Sequence, residues 1–235
     1  MIERGCSKNE KPGKIKWLWR PFIPFGEVTL IQGKTGIGKT TLMVKIMADL
    51  SRGLYPPTMY KGQLLKQRKG DPLESFYVSV EDYIEDMIVP MFILQGGDTA
   101  VAGYQNETEA HFVLTGNEIR DCVRLTGAKL IVIDPWEQSL DETPGLDNKA
   151  MIQDVKNAAK ETGAAVVLCG NYINAADNLG LNAIELFDSF DNILSVIEGN
   201  RSYERMLVAI RMNTFRKERV PVIISEDEEL RIGYH

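Results

Sequence analysis

The stretch Gly33-Lys34-Thr35-Gly36-Ile37-Gly38-Lys39-Thr40-Thr41 decides how this chain is read. It fits the pattern G-x-x-x-x-G-K-[ST] in full. It stands between an apolar run, residues 27–32 (EVTLIQ), and a segment with helical spacing through Leu42, Ile46 and Leu50. Such a loop needs glycines because its backbone must turn tightly and aim successive N–H groups at phosphate oxygens. A helix starting near Lys39 adds the positive end of its dipole. Gly33 through Thr41 are therefore the expected phosphate-binding residues.

Outward from that loop, strand and helix patterns alternate. Residues 75–80 read as a strand running into acidic residues, and 81–94 as a helix with Ile84, Met87, Ile88, Met91 and Phe92 on one face. A short strand is expected over 111–114 and a helix over 118–125. Leu130-Ile131-Val132-Ile133 is a continuous apolar run of the kind buried on both faces in a parallel sheet. A helix over 149–162 stops at Gly163, and a strand over 164–169 follows. The last third reads as strands over 193–197, 206–211 and 220–225. Strands alternating with helices require crossovers, so the expectation is an α/β fold with a mainly parallel central sheet flanked by helices. The late strands, with no helices between them, predict an antiparallel extension near the C-terminus. Residues 1–15 read as a loose arm and 16–235 as one domain. Residues 51–73, rich in Gly, Pro and Lys, read as a surface loop or insertion.

Composition sets outer bounds. A chain of 235 residues, 44% of them hydrophobic, supports one sizeable core. Its net charge of -6 argues against a globally basic nucleic-acid binder, while leaving room for a local basic stripe. Cys6, Cys122 and Cys169 have no metal-ligand spacing, and Cys169 reads as a small core hydrophobe. Reduced thiols and a polar first stretch, 1–14, lead to the expectation of a cytoplasmic protein without membrane spans.

In a parallel sheet the ligand sits outside the carboxyl ends of the strands. The residues just after positions 32, 80, 133 and 169 can therefore meet. Lys39 is placed to reach the β and γ phosphates of ATP, and the Thr40 hydroxyl to ligate Mg²⁺. Asp134, at the end of its apolar strand, is the expected second metal residue, because Mg²⁺ keeps most of its waters and takes few carboxylates. Glu81 emerges directly from its strand and is the expected general base. Glu137 is the other candidate, with Pro135 and Trp136 expected to turn it away from the phosphates. Asn171 is placed to contact the γ-phosphate or the attacking water. Arg211, beside Asn213, is a candidate finger on a neighbour's nucleotide.

The phosphate loop together with FYVSVED, LIVIDPW, VVLCGNYIN and AIRMN resembles the RecA-like ATPase domain of plasmid, phage and integrated-element proteins. Its relatives include the hexameric replicative helicases of the RepA type and, more distantly, RecA and RadA recombinases and DnaB helicases. The resemblance implies a RecA-like P-loop NTPase fold, with ATP and Mg²⁺ as cofactors. It also implies a homo-oligomer, a hexamer among the options, and single-stranded DNA as a partner. It carries the catalytic glutamate to Glu81, on the strand beside the phosphate-loop strand, and the metal-associated aspartate to Asp134. It carries the finger acting between subunits to Arg211. Where the family usually has a DNA-coupling histidine this chain has Asn171, and no arginine stands near Asp191 and Asn192.

Three functions follow. One is a DNA-linked ATPase acting as a helicase-like motor in replication, recombination or repair, with DNA loops at 60–69 and 175–182. The second is a regulatory or scaffold ATPase that switches protein partners. The third, a small-substrate kinase, would need an Arg-rich lid that the sequence does not contain.

Overall fold

The computed structural model describes residues 15–60, 63–79, 84–106, 112–140, 148–172, 183–200, 204–212, 219–224 and 230–232. Nearly all of the expected arm over 1–15 lies outside the described residues, as do Lys61, Glu81, Asn213 and the loop 175–182.

The chain begins with β1 (Trp17–Trp19), β2 (Ile23–Pro24), β3 (Val28–Gln32) and helix α1 (Lys39–Ser51). Four two-residue strands follow: β4 (Leu54–Tyr55), β5 (Met59–Tyr60), β6 (Gln63–Leu64) and β7 (Arg68–Lys69). Next come β8 (Ser75–Ser79), a π-helical turn over Ile84–Ile88, α2 (Val89–Leu94) and β9 (Ala102–Asn106). Then α3 (Gly116–Thr126), β10 (Leu130–Ile133), a 3-10 turn over Trp136–Ser139, α4 (Asn148–Thr162) and β11 (Ala165–Gly170). Last are α5 (Ala183–Asp188), β12 (Asn192–Glu198), β13 (Glu204–Arg211), β14 (Arg219–Ile224) and β15 (Leu230–Ile232).

Among the described residues nine strands form one sheet, in the order β15-β14-β13-β12-β3-β11-β10-β8-β9. The six from β12 to β9 are parallel, and β13, β14 and β15 each pair antiparallel with the strand before. This is the α/β fold the alternating pattern predicts, antiparallel extension included. Period-two alternation divides each central strand between two cores. Leu130, Val132, Val167 and Cys169 pack with α1 and α2 on one face. Ile131, Ile133, Val166 and Leu168 pack with α3 and α4 on the other.

Three details differ from expectation. β8, the strand before Glu81, does not lie beside β3; β11 and β10 stand between them, and β8 pairs with β10. Strand order is set by where the crossover helices seat, which the local pattern of a strand does not encode. The strand expected over 111–114 is instead β9, while Phe112 and Leu114 are buried outside any strand, Leu114 N–H donating to Ser139 O. A short apolar run is ambiguous on its own. The helix expected over 81–94 is a π-helical turn passing into α2 over its described part, because Pro90 supplies no N–H and its ring crowds the preceding turn.

The segment after α1 folds as two short hairpins, β4 with β7 and β5 with β6. Buried Asp49 ties it down: its carboxylate accepts from Lys45 at 2.8 Å, Arg52 at 2.6 Å and Gln67 at 3.3 Å. A buried carboxylate is tolerable only with such partners.

Candidate active site

β3 delivers the chain to Gly33 at the carboxyl edge of the sheet, where Gly33 N–H donates to Gly170 O of β11 at 3.2 Å. A Cβ at Gly33 would stand 2.8 Å from Val196 O, so only glycine passes between β12 and the loop. Gly36 and Gly38 have φ of 75° and 102°, the left-handed region that side chains disfavour. The turn they make is what aims the loop's N–H groups inward. α1 then starts at Lys39 with Gly38 as its cap and no side chain capping the first-turn N–H groups, which leaves them for an anion. Lys39 is buried inside the loop, its Nζ donating to Gly33 O at 2.9 Å and Lys34 O at 3.1 Å. Ile37 is buried and anchors the loop in the α1 core. Lys34 is exposed, with Glu198 3.8 Å away. Thr41 is half-buried on α1.

In the first turn of α1, Thr40 Oγ1 donates to Asp134 Oδ2 at 2.6 Å. The same oxygen accepts from Tyr77 OH of β8 at 2.9 Å. Tyr77 is buried, and its phenol is pushed well above the usual range by that burial and by the Asp134 charge beside it. It therefore stays a protonated donor. A hydroxyl and a single carboxylate at the edge of a phosphate loop suit Mg²⁺, which prefers waters and phosphate oxygens to a protein cage. Among the described residues no group of three or more His, Cys, Asp or Glu forms such a cage.

β11 closes the other side. Asn171 Oδ1 accepts from Thr35 Oγ1 at 3.1 Å, so the residue after β11 touches the phosphate loop. Asn171 N–H donates to Glu137 Oε1 at 2.6 Å. Glu137, expected to turn away, instead lies against the carboxyl end of β11 on the 3-10 turn after Asp134. A Cβ at Gly170 would stand 2.5 Å from Trp136 Nε1 and would collide with the Glu137 carboxylate, so the glycine makes this approach possible. Burial pushes the Glu137 carboxyl above its ordinary value, against the pull of the Asn171 N–H and the Lys39 ammonium. Its Oε2 is buried with no hydrogen-bond partner among the described residues. Cys169, fully buried one strand position earlier, has its thiol pushed well up by burial and stays unreactive.

The structure thus gathers Thr35, Lys39, Thr40, Asp134 and Asn171 at one edge. Arg211 lies elsewhere in the subunit. It pairs opposite Ile193, which is level with Leu30 in mid-sheet. Its guanidinium donates to Phe187 O at 3.2 Å and Asp188 Oδ1 at 2.7 Å in the last turn of α5, and to Phe190 O at 3.4 Å just after it. Sequence reasoning missed Tyr77; the available signal was a tyrosine inside a buried strand, whose hydroxyl must find a polar partner.

A family model described as an AAA domain matches residues 6–170, well over half of the chain and all of the loop, β10 and β11. No curated protein shows a significant match to the chain. With its phosphate loop, paired Thr40 and Asp134, and this match, the chain belongs to the AAA domain family of P-loop ATPases.

Proposed function

We propose that this chain binds ATP with Mg²⁺ and hydrolyses the γ-phosphate bond, driving a helicase-like motor on single-stranded DNA in replication, recombination or repair of a mobile element. The observation that carries the ATPase part is the Thr40–Asp134 hydrogen bond at the mouth of an uncapped α1. In this reading Lys39 exchanges its two carbonyl partners for β and γ phosphate oxygens, and the loop N–H groups hold the rest. Thr40 and Asp134 would hold the Mg²⁺, which would supply positive charge against the phosphate oxygens. Tyr77 keeps the Asp134 carboxylate turned toward Thr40. Glu81 accepts the proton of the attacking water, and Asn171 orients that water or the γ-phosphate. Glu137 acts on Asn171 as a positioning residue by fixing its backbone. Arg211 of a neighbouring copy completes the charge balance within a homo-oligomer.

The second reading, a regulatory ATPase without DNA, is favoured by Arg211 being engaged within its own subunit. ATPase assays with and without single-stranded DNA separate the two. Stimulation by DNA supports the motor, and turnover indifferent to saturating DNA contradicts it.

A further inference from the structure

Two stretches of this acidic chain carry positive charge and no acid. Residues 11–26 hold Lys11, Lys14, Lys16 and Arg20; residues 50–70 hold Arg52, Lys61, Lys66, Arg68 and Lys69. The structure brings their described parts together. Trp19 Nε1, buried, donates to Pro57 O at 2.9 Å. Between the two stretches opens a cleft of about 240 Å³, walled by Trp17, Arg20, Tyr55, Pro56 and Arg68. β4 pairs with β7 so that Tyr55 stands opposite Arg68, and the Arg68 guanidinium lies 4.3 Å over the Tyr55 ring centroid. The stack holds a planar cation open to solvent, since Arg68 is exposed while Tyr55 and Trp17 are half-buried. Lys66 and Lys69 are exposed beside it.

We propose that this cleft is the docking surface for a single-stranded nucleic acid. The inference rests on the DNA-linked reading above and supplies its contact surface. Aromatic rings and guanidinium planes stack on unpaired bases whatever their identity, and a row of cations neutralises the phosphates. Duplex bases are already stacked on one another and offer no face to Trp17 or Arg68. A free phosphate would use only the Arg20 and Arg68 cations and leave the Trp17 and Tyr55 rings without a role. The cleft adjoins the carboxyl end of α1, and the phosphate loop stands at its amino end. Thirteen residues of helix separate the two by roughly 20 Å. The strand therefore binds apart from the nucleotide.

Fluorescence titration of the full chain with a thymidine oligomer tests this. Of the three tryptophans, Trp19 and Trp136 are fully buried, so Trp17 is the indole that a base can reach. Binding should quench the indole emission. Trp17→Phe should abolish the quench, and Trp17→Ala should weaken binding about tenfold, both with basal ATP turnover unchanged. Arg68→Ala should lower the slope of log affinity against log salt by about 0.7. If the oligomer binds with emission unchanged, or binds Arg68→Glu as well as wild type, the cleft is the wrong surface while the DNA-linked reading stands. If the oligomer does not bind at low salt, both fall and the ATPase reading remains. If heparin binds as tightly as the oligomer and neither quenches Trp17, the surface is a general polyanion site and the inference is overturned.

Discussion

Asn171 and Glu137 are joined by a 2.6 Å hydrogen bond from the Asn171 backbone N–H to Glu137 Oε1, tying the end of β11 to the turn that follows Asp134. The same Asn171 holds Thr35 of the phosphate loop through its side chain. The loop, β10 and β11 are thus linked in series. A displacement of any one is felt by the other two.

That link separates two carboxylates. Glu81→Gln is expected to keep ATP binding and lower turnover by about 10²–10⁴-fold, as loss of a general base does. Glu137→Gln keeps an oxygen for the Asn171 N–H, so its turnover should fall by less than about tenfold, well short of a lost general base. Single-turnover rates with both variants check this. Full activity in Glu81→Gln with collapse in Glu137→Gln would exchange their roles.

Glu137 also predicts a pH dependence. Its folded-state pKa is raised by burial, so the folded protein takes up its proton before the unfolded chain does. The cost of the buried charge is present above the raised pKa and disappears as pH falls toward the ordinary carboxylate value. Glu137→Gln should therefore raise thermal stability at neutral pH, with the gain shrinking on acidification. A gain that grows on acidification would contradict the assignment.

Thr40→Ala should weaken Mg²⁺-dependent ATP binding more than binding measured in excess chelator, because the hydroxyl beside Asp134 is lost. Tyr77→Phe should leave chelator binding intact and cost about 1.5–3 kcal/mol of stability, the usual loss for a buried hydrogen bond to a charged partner. Calorimetric titration and denaturant melts measure the two effects. Equal losses with and without Mg²⁺ in Thr40→Ala would remove it from the metal site.

Arg211→Ala carries two expectations that differ in readout. Losing the contacts to the end of α5 should lower stability modestly, whichever reading of Arg211 holds. As a finger between subunits, Arg211 should also matter for turnover with ATP binding nearly intact, and mixing Arg211→Ala with Glu81→Gln should restore part of the activity. Turnover strictly proportional to protein concentration, with no recovery on mixing, would show a site complete within one chain.

Much of this was legible in the sequence, and the rest was hidden for physical reasons. The phosphate loop is written in residue types because its backbone geometry admits only glycine at Gly36 and Gly38. Leu130–Ile133 announces a buried parallel strand because both faces are apolar. The neighbours of β8 were not legible, since pairing with β10 rather than β3 is decided by helices packed elsewhere. β9, with the sequence AGYQN at the sheet edge, has too little apolar surface to stand out. Glu137 was misread because a turn at Pro135 gives no hint of direction, and only Gly170 across the sheet leaves room for its carboxylate.

The central claim is that the loop from Gly33 to Thr41 holds the phosphates of ATP through Lys39. Calorimetric titration of ATP in Mg²⁺ into wild type and Lys39→Ala tests it most directly. Lys39 lies inside the loop and, among the described residues, donates to the backbone carbonyls of Gly33 and Lys34, so its removal should leave the fold intact and abolish tight binding. A folded Lys39→Ala protein whose ATP dissociation constant matches wild type would contradict the account.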